Sequence, residues 1–183
     1  ITWALDSKSF FYSKLDEYHR PRQIYKHILG TSVKEDVLIF EEKDDTFTCG
    51  IGLTSDEKYF TISTSDHITS EEYFFSSHEA NIKPKLFQAR EKDVRYSIDS
   101  WQGHFYVHTN KNARDYKILR CKISDIKNLE EFIPSKKETV VGVLDFLDDY
   151  IIRGEKSDAI PKLFVRNIKT NKEEEIKISN EVI

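Results

Sequence analysis

Methionine is absent from this chain of 183 residues, and cysteine is nearly so, with Cys49 and Cys121 the only two. Two distant thiols cannot build a disulfide framework or a zinc site of the paired-cysteine type, so buried, reduced cysteines are expected. No apolar run approaches the ~20 residues that a membrane helix needs, and no secretory apolar segment opens the sequence. The cytoplasm is therefore the expected compartment. A chain that starts at Ile1 and contains no Met reads as a trimmed or excised piece of a longer polypeptide. Strong charge of either sign is also missing: 28 Lys and Arg stand interleaved with 32 Asp and Glu, for a net charge of −4. Nucleic-acid partners need a clustered basic face, and none is expected here.

Glycine is equally scarce, and its spacing excludes whole reaction classes. The six glycines are Gly30, Gly50, Gly52, Gly103, Gly142 and Gly154. No two lie four apart around a serine, as a hydrolase nucleophile elbow requires. None lie five apart before a Lys, so there is no phosphate-binding Walker loop. Gly50-Ile51-Gly52 continues as Leu53-Thr54-Ser55, which is no dinucleotide fingerprint. No cofactor is expected.

What is present is repetition. An aromatic-led segment, Phe10-Phe11-Tyr12-Ser13, recurs as Tyr59-Phe60-Thr61-Ile62, Phe105-Tyr106-Val107-His108 and Tyr150-Ile151-Ile152-Arg153, a period of 45 to 49 residues. A second marker follows each leader by 13 or 14 residues, at Ile24, Tyr73, Ile118 and Leu163. Apolar segments at 1–5, 47–54, 94–101 and 140–147 precede the leaders, and others at 36–42, 83–90, 129–135 and 173–179 close the units. Each unit reads as four short strands joined by polar turns. The predicted fold class is therefore all-β, a β-propeller fragment of about four blades of four antiparallel strands, with blades at about 1–43, 44–91, 92–137 and 138–183 in one partial domain. Small residues in the first strands suit a crowded innermost position. The same sixteen strands would also build a sandwich or an open sheet, because spacing shows repetition and not ring closure. Alternation assigns the packing to positions such as Phe10, Tyr12, Ile24, Leu38, Phe60, Ile62, Phe105, Val107, Ile118, Ile151 and Phe164.

Candidate chemistry is thin. In a strand, His104 and His108 lie roughly 13 Å apart at ~3.3 Å per residue, too far for one metal ion. They share a face with Tyr106, and a solvated or turn-facing strand face is expected. His27 falls opposite Ile24, Lys26 and Ile28, as a hydrogen-bonded structural residue. The pairs Asp44-Asp45 and Asp148-Asp149 fall in turns, the usual place for Asp. No catalytic, cofactor-binding or metal-binding residue is assigned, and no residue is assigned to substrate.

The wording of the repeats carries a resemblance. Leu15-Asp16-Glu17-Tyr18-His19-Arg20-Pro21-Arg22-Gln23-Ile24-Tyr25-Lys26-His27-Ile28-Leu29-Gly30-Thr31, with Glu35-Asp36-Val37-Leu38-Ile39-Phe40-Glu41-Glu42-Lys43-Asp44-Asp45, resembles the amino-terminal propeller of the oligopeptidase B (protease II) branch of the prolyl oligopeptidase family of serine peptidases. Thr69-Ser70-Glu71, Tyr96-Ser97-Ile98-Asp99 and Glu130-Glu131-Phe132-Ile133-Pro134 are similar to later blades, in the same order. Asp115 and Ser135-Lys136 depart from the usual family residues in loops. The resemblance implies a seven-bladed propeller over an α/β-hydrolase domain that carries the Ser, Asp and His of the triad, none of which maps onto this chain. It implies a whole enzyme that cleaves short peptides after Lys or Arg, with the propeller as a size-selective lid. The alternative is a stand-alone interaction propeller, but the Trp-Asp dipeptide of WD repeats is missing. As an excised array, the chain is expected to self-associate, since its end blades lack neighbours.

Overall fold

The computed structural model describes residues 1–177. Sixteen strands form four antiparallel sheets, each contiguous in sequence. The first holds β1 (Thr2–Trp3), β2 (Ser9–Leu15), β3 (Pro21–Ile28) and β4 (Val37–Glu41). The second holds β5 (Thr48–Leu53), β6 (Tyr59–Ser65), β7 (Ser70–Ser76) and β8 (Lys85–Gln88). The third holds β9 (Tyr96–Trp101), β10 (His104–Thr109), β11 (Lys117–Lys122) and β12 (Glu130–Ile133), and the fourth β13 (Thr139–Leu147), β14 (Tyr150–Ser157), β15 (Ile160–Asn167) and β16 (Glu173–Ile176). This is the predicted four-by-four arrangement. Of the segment expected at 173–179, Ile178 and Ser179 lie outside the described residues. A single 3-10 turn at Val33–Glu35 is the one helical element among the described residues. The chain divides into two compact units, Ile1–Phe105 and Tyr106–Ile183.

In the first unit, alternation along β2 and β6 sends every second ring to one side. Phe11 reaches across to Phe60 and Phe75, with ring centroids 4.7 and 5.6 Å apart, and Ile24, Cys49 and Ile62 complete that core. The opposite side of the second sheet presents Tyr59, Phe74 and Phe87, which surround Phe105 at 5.3, 4.9 and 5.5 Å. Burial of several aromatic side chains, at roughly 1.5–3 kcal/mol each, makes these seams the main apolar contribution to stability.

In the second unit, Tyr106 packs on Phe132 and Phe146 at 5.2 and 4.9 Å, and Val141 is fully buried. Gly142 sits where the β13–β14 register shifts, and a Cβ there would stand 2.8 Å from the carbonyl oxygen of Gly154. Close backbone approach across a bulge explains this glycine. Crowding was expected around the small residues of three first strands, yet a Cβ on Gly50 would meet nothing within 4 Å.

The repeat is one residue out of step with the sequence reading in two of its units. A left-handed residue marks the turn between first and second strands at Ser7, Glu57, Gln102 and Asp148. The equivalent residues three positions later are Phe10, Phe60, Phe105 and Ile151, not Tyr59 and Tyr150. A one-residue slip in a strand moves a side chain to the other face, so the correction decides which sheet each ring meets. Of the expected packing positions, Ile24, Phe60, Ile62, Phe105, Val107, Ile118 and Ile151 are buried. Leu38 is exposed because β4 is an outermost strand, while Phe11, Phe75, Phe87 and Val141 carry packing that was not foreseen.

Candidate functional site

A cavity of about 430 Å³ opens on the first sheet, lined by Ile1, Phe10, Tyr12, Ser13, His27, Val33 and Asp36. Its polar wall is Tyr12 and Ser13 of β2, His27 of β3 and Asp36, which follows the 3-10 turn. Ser32 caps that turn, its hydroxyl accepting from the Lys34 N–H, while the Glu35 carboxylate accepts from the Ser32 N–H. The capping box delivers Asp36 to the mouth of the β2–β3 ladder. One Asp36 oxygen accepts the Tyr12 hydroxyl at 2.6 Å, and the other lies 2.7 Å from His27 Nδ1. These bonds hold the Asp36 carboxyl below its ordinary pKa, the Tyr12 bond most of all. Burial, and then Asp36, push the Tyr12 phenol up to about 12. The His27 ring is thus oriented with Nε2 unbonded among the described residues. An Asp-held histidine is also part of a serine-hydrolase triad, but no serine hydroxyl bonds this ring among the described residues. The expectation of a hydrogen-bonded structural His27 agrees with this geometry.

A second polar cluster ties the crossover that leaves the first sheet to the one that leaves the second. Arg90 binds Glu42 at 2.6 Å and Glu71 at 2.9 Å, and lies over the Phe47 ring at 4.0 Å. Burial pushes the Glu71 carboxyl up, but the Arg90 bonds outweigh it and leave its pKa lowered. Two carboxylates bridged by one guanidinium suit fastening and not acid catalysis.

The third feature lies where β7 and β8 lose register, between Glu72 and Tyr73. There the Tyr96 hydroxyl accepts the N–H groups of Glu72 and Gln88, and donates to the Gln88 carbonyl. Ser70 Oγ bonds both the N–H and the carbonyl of Tyr96, each at 2.6 Å. Beside them Glu72, 2% exposed, accepts only from the Ser63 hydroxyl, at 2.8 Å. Burial pushes its carboxyl up to about 8.

Other residues weighed from the sequence fall elsewhere. His108 is not on a solvated face: it stacks on Tyr116 at 4.5 Å, and its Nε2 lies 2.7 Å from the Val141 carbonyl. Burial lowers its pKa. Tyr106, on the same face, is buried, so the solvated face expected for this strand is corrected, because the aromatic rings of Phe132 and Phe146 cover it. Asp44 accepts from Thr46 within its turn, and Asp149 pairs with Lys169. Cys49 and Cys121 are buried and form no disulfide, and burial pushes the Cys49 thiol up to about 12. No cluster of three or more metal-ligating side chains occurs among the described residues. Neither the Arg90 cluster nor the Tyr96 bridge was visible in sequence, since their partners lie 8 to 48 residues away on other strands and connections.

Residues 1–182 match the family described as prolyl oligopeptidase, N-terminal beta-propeller domain. The chain belongs to that family. Protease 2 of Moraxella lacunata is 30% identical over 158 residues, which cover 86% of this chain and 23% of that protein. Dipeptidyl aminopeptidase BI of Pseudoxanthomonas mexicana is 27% identical, over 90% of this chain and 23% of its own length. Among solved structures, oligopeptidase B from Leishmania major superposes with a TM-score of 0.90 at 18% identity, over 99% of this chain and 27% of that one. Oligopeptidase B from Trypanosoma brucei with covalently bound antipain gives 0.91 at 21% identity, with the same coverage. The chain therefore spans about a quarter of the length of these relatives, and its sheets are blades of the N-terminal propeller of a prolyl oligopeptidase.

Proposed function

We propose that this chain is the non-catalytic propeller portion of a serine oligopeptidase that hydrolyses short peptides after Lys or Arg. In this reading it works with an α/β-hydrolase portion of the same polypeptide, which supplies the nucleophile, the base and the oxyanion hole. The propeller's part is exclusion: stacked rigid blades limit entry to short, flexible peptides. The observation that carries the reading is the family match over residues 1–182, on a chain without a nucleophile elbow. Two buried cysteines outside any disulfide suit a reducing compartment, so the cytoplasm is the proposed location.

The longer polypeptide tests this directly. Chromogenic peptides ending in Lys or Arg should turn over, and turnover should fall steeply with substrate length. Preference for Pro at that position would overturn the proposed specificity. Equal cleavage of folded proteins with and without residues 1–177 would overturn the gating. The isolated chain should show no turnover that a serine-directed covalent inhibitor abolishes.

A further inference from the structure

Four glutamates are buried among the described residues: Glu42, Glu71, Glu72 and Glu155. Three of them meet a cation. Glu42 and Glu71 share Arg90, and Glu155 binds Lys136 at 2.7 Å and Arg153 at 2.9 Å. Glu72 is the exception: it is the most deeply buried of the four, and its carboxyl meets only the Ser63 hydroxyl. The register explains why no cation reaches it. Glu72 lies opposite Ser63 on β6 and Gln88 on β8, and Ser63 in turn lies opposite Gly50 on β5. These three strands offer it a hydroxyl, an amide and no side chain at all. Ser70 and Phe74 share its face of β7, and Tyr59 lies on the same side at the far end of β6, whereas Glu71 and Tyr73 turn with Arg90 to the opposite face. From β9 the titratable group that faces it is Tyr96, whose hydroxyl accepts the Glu72 N–H.

Tyr96 also fastens the start of β9. Its hydroxyl fills the β7–β8 bulge, its own backbone is pinned by Ser70 Oγ, the Ser70 N–H donates to the Val94 carbonyl and the Asp93 N–H donates to the Thr69 hydroxyl. The far end of β9 is fastened separately. There Asp99 accepts the N–H and hydroxyl of Ser55, and the Ser100 hydroxyl donates to Asp56. An ionised Glu72 has no counter-charge in this seam, and a buried unpaired charge is relieved only by reaching water. Tyr96 is what β9 places against it.

We propose that Glu72 is a proton-operated catch on β9. While the carboxyl is protonated, the Tyr96 hydroxyl stays in the bulge and residues 93–97 lie against β7. When the proton passes to solvent, the charged side chain draws water into the seam, the hydroxyl leaves the bulge, and that stretch lifts while the ladders and the Asp99 end stay made. Burial pushes the Glu72 carboxyl up to about 8, so the catch opens on the alkaline side of neutrality. Openings of this local kind require less free energy than unfolding the whole domain.

Hydrogen exchange on the longer polypeptide, followed by mass spectrometry and corrected for the pH dependence of the chemical step, tests the catch independently of any peptidase activity. The amides of Ser70, Glu72, Gln88 and Tyr96 are bonded across the seam. Their protection should fall about tenfold per pH unit between roughly pH 5.5 and 7.5 and level off above about pH 8, the slope of one released proton. Amides of β6, bonded within the second sheet, should keep theirs, which separates a local lift from unfolding. Glu72→Gln should stay closed and lose the pH dependence. If that variant does not fold, Ser63→Ala replaces it: the substitution deletes the one hydroxyl that favours the charged carboxyl and should move the levelling-off to higher pH. Protection that falls with the same slope in Glu72→Gln would overturn the proposal. So would a seam that ignores pH in the wild type, or one that opens only together with β6.

Discussion

The hydroxyl of Tyr96 accepts the backbone N–H of Glu72 at 3.0 Å and so repairs, from a neighbouring sheet, a ladder that β7 and β8 leave broken. A bulge frees backbone groups, and buried backbone groups must find partners. Removing that one oxygen, in Tyr96→Phe, strands two N–H groups and a carbonyl. The expected loss is about 2–3 kcal/mol, read as a lower urea midpoint with unchanged slope.

Glu72 makes stability fall with rising pH. Its carboxyl titrates near 4.5 when unfolded and at about 8 when folded, so the folded state binds the extra proton between those values. The contribution is whole below about pH 4.5 and is lost as pH rises through 8. Melting temperature should drop between pH 5 and 8.5 in the wild type. Glu72→Gln, which cannot ionise, should flatten that drop and be the more stable protein at pH 8.5. A wild type and variant that change in parallel over this window would contradict the assignment.

Arg90→Ala should be among the costliest single changes, at about 3–5 kcal/mol, because it leaves the buried Glu42 and Glu71 carboxylates facing each other without their shared cation. The Glu71 carboxyl has a lowered pKa, so its contribution is present above the unfolded value near 4.5 and disappears as pH falls below it. Chemical denaturation at pH 7 and pH 3.5 should therefore show the Arg90→Ala penalty shrinking in acid.

Two glycines on equivalent first strands should respond differently to alanine. Gly142→Ala forces a methyl to 2.8 Å from the Gly154 oxygen and should cost about 1–3 kcal/mol. Gly50→Ala meets open space and should be neutral or slightly stabilising, by up to about 1 kcal/mol. Thermal melts of the two variants side by side check the contrast.

The number of strands, their order and their grouping were legible because period and alternation are local properties of a sequence. The side of each sheet was not, because apolar residues sit next to each other at Phe10-Phe11 and at Tyr59-Phe60, and either one can lead a strand. A sharper signal was available: Asp6-Ser7-Lys8 and Asp56-Glu57-Lys58 repeat at fifty residues, and both aspartates accept from backbone N–H groups in the turn. Aligning on those turns places Phe60, and not Tyr59, beneath Phe10. The polar clusters were unreadable for a different reason. Arg90 meets Glu42 across 48 residues, and charged residues near turns look solvated until the fold brings them together.

Each ladder closes within a stretch of fewer than fifty residues, while only the seams join distant parts of the chain. Hairpins of this kind form in microseconds, and contacts between distant segments follow more slowly because loop closure opposes them. A chain emerging from the ribosome can therefore complete its hydrogen-bonded sheets one after another, each with one flank bare until the next is made. The interval of risk in synthesis is the wait for a neighbour, and the aromatic flanks of Phe10, Phe11 and Tyr59 are the surfaces a chaperone would meet during it.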